Sequence, residues 1–327
     1  MNNAKPQHSD SPDHWMARFV KDLLISTPNV RLYSIAPYLH ELYEDSPPMP
    51  PAAWGDAPVA APFKIIHGGN PYFIPGSARD LRLYLTCVAA CIPAMLNASC
   101  VESPEDLGPP SFAALAAGCT GGHRAMRQAW HRMNAFTERR LSASDCKVLT
   151  VDIEHFGASI DANRLLQSLR QCGADPAALR HLARLHQSWQ SHGCPGLPLT
   201  GAVSILCKLV LSELNHELRG RGFDFVHIQD DYRIFCDSQA QTAAAHEVVK
   251  QVTTRMGLTL NASKTRMLSP GKPSRKWLQQ QNTRRLFREG LLRPFLGESL
   301  RFRLLRPIAI VLLRFLYRDQ CTPCPSR

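Results

Sequence analysis

The sequence predicts an α+β fold in which an antiparallel sheet carries helices on one face. The segment KVLTVDI, residues 147–153, alternates apolar and polar side chains with the period of a half-buried strand. The segments FDFVHIQ and YRIFC flank Asp230 and Asp231 and indicate a β-hairpin with the two aspartates at its tip. Helical patterns separate these strands without a regular strand–helix alternation, which favours α+β over a parallel α/β sheet.

Four helices are predicted from capping residues, leucines at helical spacing and terminal glycines. The first lies between Asp161 and Gly173, and the second begins at Asp175-Pro176. The third runs from about Ala202 to Leu218, and the fourth runs from Ala240 to Met256 and is ended by Gly257. The tripeptide LTL, residues 258–260, is expected to form a last short strand. A further helix is expected over His14–Ile25, and the proline-rich segment 46–62 is expected to be extended, because proline fixes φ and lacks an N–H donor.

The charge of the chain favours a polyanionic partner or an anionic membrane surface. The 327 residues carry a formal net charge of +11. Residues 269–327 hold 13 Lys and Arg against three acids, with aromatic side chains between them. Basic groups neutralise phosphates and aromatic rings stack on bases, so this segment is a candidate for nucleic-acid binding, although a solvated helical surface has the same composition.

The cysteines favour a reducing, cytoplasmic environment. Eleven cysteines are scattered without a framework spacing, and the polar N-terminal residues contain no secretory signal. The pair Cys321 and Cys324 lacks a second pair of ligands, so zinc binding is not expected there. The run IAIVLLRFLY is too short to span a bilayer and contains Arg314, so no membrane segment is predicted.

Three aspartates form a candidate metal site. Asp152 ends the first predicted strand, and Asp230 and Asp231 stand together although like charges repel and strands are depleted in aspartate. If the strands lie side by side, the three carboxylates converge and need a counter-charge. Two Mg²⁺ ions would supply that charge and clamp the oxygens of a phosphoryl transfer. Each aspartate taken alone is more commonly a cap or turn residue, so the metal site is inferred from the three together.

Four segments, in order, resemble the palm motifs of reverse transcriptases. They are VLTVDIEHFGASID, GLPLTGAVSILCKLVLSEL, HIQDDYRIFC and GLTLNASKT. The resemblance is to the bacterial group related to retrons, group II intron enzymes and abortive-infection proteins, whose motifs resemble DIxxFFxSI, GLPxGxxxS, YxDD and GLxLNxxKT. It covers about Val148 to Thr265 and implies a right-hand polymerase palm with fingers and a short helical thumb.

The resemblance also implies a division of the chain. Residues 1–28 would be a partly disordered N-terminal segment, and residues 29–140 a fingers-like region that includes the proline-rich stretch. Residues 141–268 would be the palm, and residues 269–327 a basic, thumb-like region. The basic side chains expected to contact nucleic acid there are Lys272, Arg275, Lys276, Arg284, Arg285 and Arg288.

Residue roles follow from the matched motifs. Asp152, Asp230, Asp231 and Lys264 would be catalytic, with Lys264 approaching the triphosphate and protonating the leaving pyrophosphate. The three aspartates and the backbone carbonyl of Ile153 would ligate metal. The residues implied to lie against the template base or the incoming nucleotide are Phe156, Gly157, Gly196, Leu197, Pro198, Thr200, Gly201 and Ser204.

Some of these positions depart from the family pattern. Gly157 stands where the family has a bulky aromatic ring that excludes a 2′-hydroxyl, and alternation points the neighbouring Phe156 to the other face. We therefore expect weak sugar discrimination. The other departures are Thr200 at the second glycine of the loop, with Gly201 one place later, Ile228 at the tyrosine of YxDD, and the polar Gln229 after it.

The resemblance implies an RNA-directed DNA polymerase that extends a 3′-hydroxyl with two Mg²⁺ ions, or Mn²⁺ in their place. Its implied partners are an RNA template, a DNA or RNA primer, nucleoside triphosphates and, in addition, a noncoding RNA or a priming protein, with no membrane. Bacterial members outside introns often act in phage defence, which suggests that role. Two alternatives stay open: a template-independent or protein-primed polymerase on the same palm, and a catalytically degenerate RNA-binding palm.

Overall fold

The computed structural model describes residues 55–271 except 56, 68–69, 99–102, 112–113, 115–121, 144–145, 199 and 201. Its main sheet has four antiparallel strands in the order β4-β5-β3-β6. These strands are β3 (Lys147–Val151), β4 (Asp224–Ile228), β5 (Asp231–Cys236) and β6 (Arg266–Leu268). A separate hairpin pairs β1 (Phe63–His67) with β2 (Asn70–Ile74).

The described residues contain seven helices. They are α1 (Ala78–Asn97), α2 (Gly122–Ala143), α3 (Phe156–Ser159), α4 (Ala162–Gln171), α5 (Pro176–Ser191), α6 (Val203–Gly220) and α7 (Gln239–Arg255). The predicted start signals act as expected, since the Asp161 carboxylate accepts backbone N–H bonds at the start of α4 and Asp175 does so for α5. Gly173 and Gly257 adopt positive φ after α4 and α7, where a residue with a Cβ would be strained.

The core lies between the sheet and the helices. Leu149 and Val151 of β3 and Ile234 of β5 face a large apolar cluster that includes side chains from α1, α4, α5, α6 and α7. The opposite face of the sheet is also covered, because Phe136 of α2 packs edge-on against Phe235 at 5.2 Å between ring centroids. The half-buried strand expected over residues 147–153 is therefore wrong in one respect: β3 is buried on both faces after its first residue.

A short segment, Ser103–Gly108, protects the free side of β4, and we call it the strap. The backbone N–H of His227 donates to the carbonyl of Glu105 at 2.9 Å, and the N–H of Leu107 donates to the carbonyl of His227 at 2.8 Å. The Lys208 ammonium of α6 contacts the Asp106 carboxylate and donates to the Gly108 carbonyl at 2.9 Å. The strap is thus tied to both the edge strand and a core helix, which leaves little of β4 open for pairing with another chain.

The sequence expectations fare differently along the chain. The α+β class and the four helices between residues 161 and 257 are confirmed. The LTL strand is wrong: only an isolated antiparallel bridge joins Ile153 and Leu260, and the last strand is β6. The His14–Ile25 helix, most of the proline-rich segment and the basic region from Lys272 lie outside the described residues. Within the described ranges, no helix is both long and apolar enough to cross a bilayer.

Replacing Lys208 by Met should destabilise the protein by about 3 kcal/mol or more. The Lys208 and Asp106 side chains are 3% and 8% exposed, so the substitution leaves a buried carboxylate without its cation. Arg221→Met is the matched control, because the Arg221–Glu217 pair is exposed and its loss should cost less than about 1 kcal/mol. Urea unfolding measures both. Equal effects of the two substitutions would contradict a stabilising role for the buried pair.

Candidate active site

The tip of the β4–β5 hairpin is the two-residue loop Gln229–Asp230. Ile228 pairs with Asp231, so Asp231 is the first residue of β5 rather than part of the loop. Gln229 has φ of +52°, a left-handed conformation that is unusual for a residue with a side chain. The hairpin predicted from the sequence is therefore confirmed, but the two aspartates differ in position: Asp230 lies in a strained turn and Asp231 in a paired strand.

Asp152 directly follows β3 and lies beside this turn. Its backbone carbonyl accepts the N–H of Asn261 at 2.8 Å, and the N–H of Glu154 donates to the carbonyl of Thr259 at 2.8 Å. These two bonds flank the bridge between Ile153 and Leu260. Together they join residues 152–154 to the GLTLN segment, residues 257–261. The backbone on both sides of Asp152 is thus fixed, and the residue is buried.

Lys264 binds the Asp152 carboxylate. The Lys264 ammonium lies 2.9 Å from each of the two Asp152 carboxylate oxygens. The Lys264 side chain is 57% exposed, whereas that of Asp152 is 8% exposed, so the lysine can leave while the aspartate stays in place. The structure therefore brings together two of the predicted site residues from motifs 112 positions apart.

The carboxyl of Asp230 has a strongly shifted pKa. The pKa of its carboxyl is raised to about 8, first by burial and then by the negative charges of Asp231 and Asp152. A backbone hydrogen bond and the positive charge of Lys264 act in the opposite direction but do not offset these effects. The negative charges of both other aspartates thus act on the Asp230 carboxyl, as expected for carboxylates that converge.

Arg233 is a site residue that the sequence reasoning missed. It follows Asp231 by two positions, so both side chains leave the same face of β5. It is buried, and although burial lowers the pKa of its guanidinium, the charges of Asp231 and Asp152 raise it, and an arginine remains a cation in proteins. The signal available in the sequence was a single arginine in an otherwise apolar strand, YRIFC.

The GLP loop lies against the short helix α3. The backbone N–H of Leu197 donates to the carbonyl of Gly157 at 2.9 Å. A Cβ at Gly196 would overlap the backbone carbonyl of Ala158, so this position requires glycine. Gly196, Leu197 and Gly157, all expected near the nucleotide, are therefore in contact through their backbones.

Gly157 leaves space beside helix α6. A Cβ built on it would meet only the side chain of Val203, at 3.4 Å. Phe156 is not among the atoms that this Cβ would meet, and its ring is buried in the core. Residues 156–159 form helix α3, so the strand alternation used to orient Phe156 does not apply to them. Neither Gly157 nor Phe156 therefore places an aromatic ring in this space beside Val203.

The remaining predicted residues fall in three groups. Thr200 is buried and its hydroxyl has no hydrogen-bond partner, while its backbone carbonyl accepts the N–H of Val203 at 3.2 Å at the start of α6. Pro198 and Ile228 are buried, and Ser204 is half-buried in the first turn of α6. The residues outside the described part of the chain are Gly201, Lys272, Arg275, Lys276, Arg284, Arg285 and Arg288.

The carboxylate oxygens suit a divalent cation chemically, but the described residues do not form a complete metal site. Among the described residues, no three His, Cys, Asp or Glu side chains are already grouped to hold a metal ion. Carboxylate oxygens are nevertheless the ligands that Mg²⁺ prefers. The pKa of Asp230 is raised first by burial and then by the negative charges of Asp231 and Asp152, and a bound cation would act against the second of these causes.

Comparison with known families agrees with this geometry. A family model described as reverse transcriptase (RNA-dependent DNA polymerase) matches residues 114–286, more than half of the chain. The chain therefore belongs to the reverse transcriptase family, and the predicted palm fold is confirmed. No curated protein matches the sequence.

Membership of the family defines the class of enzyme. The chain is a nucleotidyltransferase, an RNA-directed DNA polymerase, whose substrates are nucleoside triphosphates and whose partners are a template and a primer. Members of the family generally use divalent metal ions. The matched range includes β3, the GLP loop, the β4–β5 hairpin and the segment that carries Lys264.

Without divalent metal, Asp230→Asn should stabilise the protein increasingly as the pH rises from about 4 to about 8. Below the ordinary pKa of aspartate, near 3.8, Asp230 is protonated whether the chain is folded or unfolded, so it does not favour unfolding. Between the two values the unfolded chain ionises while the folded chain cannot, and stability is lost until the pH passes the folded value. Thermal melts in EDTA measure this, and we expect a gain of at least about 2 °C at pH 9.

Asp237→Asn is the control for a general effect of removing one negative charge, because Asp237 is exposed. A melting-temperature difference between Asp230→Asn and the wild type that does not change from pH 4 to pH 9 would contradict the raised pKa.

Proposed function

We propose that this protein copies RNA into DNA by a two-metal phosphoryl transfer centred on Asp152, Asp230 and Asp231. The observation that carries the proposal is the pairing of β3 with β5, which sets the strand ends next to Asp152 and Asp231 side by side. In agreement with it, the pKa of Asp230 is raised to about 8, first by burial and then by the charges of Asp231 and Asp152. The 3′-hydroxyl of the primer attacks the α-phosphate of a nucleoside triphosphate, a new P–O bond forms, and the bond to pyrophosphate breaks. When bound, two Mg²⁺ ions, or Mn²⁺, would orient these oxygens and neutralise the charge that develops on them.

The proposed metal ligands are the three aspartates and the backbone carbonyl of Ile153. Asp152 is suited to hold a cation because the backbone around it is fixed by two hydrogen bonds to the GLTLN segment. Asp230 and Asp231 extend from adjacent positions of one hairpin, so the register of β4 and β5 sets the separation of their carboxylates. Arg233 lies on the same face as Asp231 and limits the repulsion among the acids.

Lys264 would serve the leaving group. Its ammonium pairs with Asp152, but its exposed side chain is long enough to turn toward a triphosphate that enters the cleft. There it would stabilise the developing charge on pyrophosphate and give up a proton to it. The same side chain would thus hold the Asp152 carboxylate before the substrate enters and act on the substrate afterwards.

Gly157 would relax the choice of sugar. The position faces Val203 with free space and no aromatic ring, so little would exclude a 2′-hydroxyl there. Gly196 and Leu197, which contact Gly157 through the backbone, would lie against the template base or the incoming nucleotide. The proposal is that this site accepts ribonucleotides as well as deoxyribonucleotides.

A template-independent or protein-primed polymerase is the second candidate. The observation that favours it is the altered surroundings of the template and primer positions: Ile228 is buried where the family has a tyrosine, and the Thr200 hydroxyl has no partner. Both changes leave the carboxylates unaltered. Product formed in the absence of any template would support this candidate over templated synthesis.

The biological role proposed for this polymerase is antiphage defence in the cytoplasm. Its support is the resemblance of the four motifs to those of bacterial defence-related members of the family, together with buried cysteines that form no disulfide, such as Cys87, Cys91 and Cys207. A noncoding RNA or a priming protein would be the natural partner of such an enzyme. Protection against phage that is lost in Asp152→Asn would support the role.

The proposed chemistry predicts that Asp152→Asn and Asp230→Asn each reduce primer extension at least about 1,000-fold, because each removes a charge that acts in the transition state. The assay supplies an RNA template, a DNA primer, labelled dNTPs and Mg²⁺. Asp161→Ser is the control, since Asp161 caps α4 and serine is an alternative cap. Folded Asp152→Asn protein with wild-type activity would contradict the proposed site.

Gly157→Phe should raise the preference for dNTPs over rNTPs by at least about tenfold, because the added ring would occupy the space near the sugar. Single-nucleotide incorporation with matched dNTP and rNTP measures the ratio of kcat/KM values. Gly157→Ala is the control, since a Cβ alone meets only Val203. A wild-type enzyme that already prefers dNTPs strongly, with little change in Gly157→Phe, would contradict the sugar proposal.

A further inference from the structure

A chain of buried hydrogen bonds ends at the turn that carries Asp230. The Tyr232 hydroxyl donates to the Asn215 side-chain oxygen at 2.7 Å. The Asn215 side-chain nitrogen lies 3.0 Å from His227 Nε2, and His227 Nδ1 lies 3.0 Å from the backbone carbonyl of Gln229. All three side chains are at most 4% exposed. We call Tyr232, Asn215 and His227 the relay.

The donors and acceptors of the relay can be satisfied in only one direction. A carbonyl only accepts, so His227 Nδ1 must carry the proton that is donated to Gln229. A neutral imidazole then accepts at Nε2, and the Asn215 amide must present its nitrogen there and its oxygen to Tyr232. Burial lowers the pKa of His227 and raises that of Tyr232, so the neutral imidazole and the intact phenol agree with this direction.

The relay is also rigid. The rings of His227 and Tyr232 stack with centroids 4.5 Å apart and planes 6° apart. The backbone of His227 is held on its outer side by the strap, through both its N–H and its carbonyl. The Asn215 side chain comes from α6, whose Lys208 anchors the strap. Movement of the imidazole is therefore opposed from the sheet, the strap and the helix.

The relay acts on a strained position. The Gln229 carbonyl belongs to the residue with φ of +52°, and its peptide group leads directly to Asp230. Left-handed backbone at a residue with a side chain is unfavourable unless the surroundings stabilise it. A hydrogen bond from a fixed imidazole to that carbonyl supplies such stabilisation and sets the orientation of the next residue.

We propose that Tyr232, Asn215 and His227 are positioning residues that hold the Gln229–Asp230 turn in the geometry needed for metal binding and polymerisation. The inference rests on the proposed function for its effect on catalysis, but the hydrogen-bond chain and the metal affinity are open to separate measurement.

Tyr232→Phe is the mildest test, because it keeps the stacked ring and removes only the hydroxyl. Without that donor the Asn215 side-chain oxygen loses its partner, and the amide is held only through its N–H bond to His227 Nε2. The bond from Nδ1–H to the Gln229 carbonyl remains, but the imidazole that makes it is oriented less firmly. The support of the turn is thereby weakened without a cavity.

His227→Asn and His227→Leu form a matched pair of similar size. An asparagine amide can place an N–H near the position of Nδ1 and keep the bond to Gln229, whereas leucine cannot. If the relay merely fills the core, the two variants should behave alike. If it positions the turn, the asparagine variant should retain much more activity than the leucine variant.

The experiment measures Mn²⁺ affinity by titration calorimetry, primer extension, and the histidine tautomer by ¹⁵N NMR. For Tyr232→Phe and His227→Leu we expect a three- to tenfold weaker Mn²⁺ affinity and at least a fivefold lower kcat, with the KM for dNTP within twofold of the wild type. His227→Asn should lie within about threefold of the wild type in both affinity and kcat. Thr253→Val is the control, because it removes a buried hydroxyl that bonds within α7 and should change none of these values.

Two outcomes would overturn the inference. One is a wild-type His227 that carries its proton on Nε2 rather than on Nδ1. The other is equal loss in His227→Asn and His227→Leu. A wild-type protein without primer extension would contradict the proposed function alone, since the Mn²⁺ affinities and the tautomer would still decide the role of the relay.

Discussion

Repulsion among the carboxylates of Asp152, Asp230 and Asp231 is the constraint around which this site is built. Placing them together costs free energy, and their charges add to burial, the larger cause, in raising the pKa of Asp230. The protein offsets part of that cost with the Lys264 ammonium on Asp152 and the buried guanidinium of Arg233. The remainder is what a pair of divalent cations would neutralise, so the same repulsion that destabilises the metal-free protein favours metal binding.

The fold serves this constraint by fixing backbone rather than side chains. Antiparallel pairing of β3 with β5 places Val151 opposite Tyr232, so the strand ends that carry Asp152 and Asp231 lie side by side. Hydrogen bonds from the GLTLN segment hold the chain around Asp152, and the strap holds β4 from outside. The carboxylates can then be brought close without relying on contacts between themselves, which would be repulsive.

The sequence predicted the elements whose signals are local. Asp161 and Asp175 cap helices as expected, and alternation placed Leu149 and Val151 in the core. Tertiary contacts decided the rest: Thr150 is buried with its hydroxyl bonded to the carbonyls of Lys264 and Arg266. Arg233 is a site residue only because Asp152 directly follows the neighbouring strand β3. The strap and the relay join residues about 100 and 12 positions apart, and no periodicity in the sequence indicates such pairs.

The proposed chemistry requires Asp152 to exchange Lys264 for a metal ion when the site is filled. Anomalous diffraction from crystals grown with Mn²⁺ and a non-hydrolysable nucleotide would detect this exchange. We expect Mn²⁺ peaks within ligand distance of Asp152 and Asp230, at about 2.1 Å, with Lys264 moved from Asp152 to the triphosphate. Nucleotide bound with the Lys264–Asp152 pair unchanged, and without a Mn²⁺ peak at either aspartate, would contradict it.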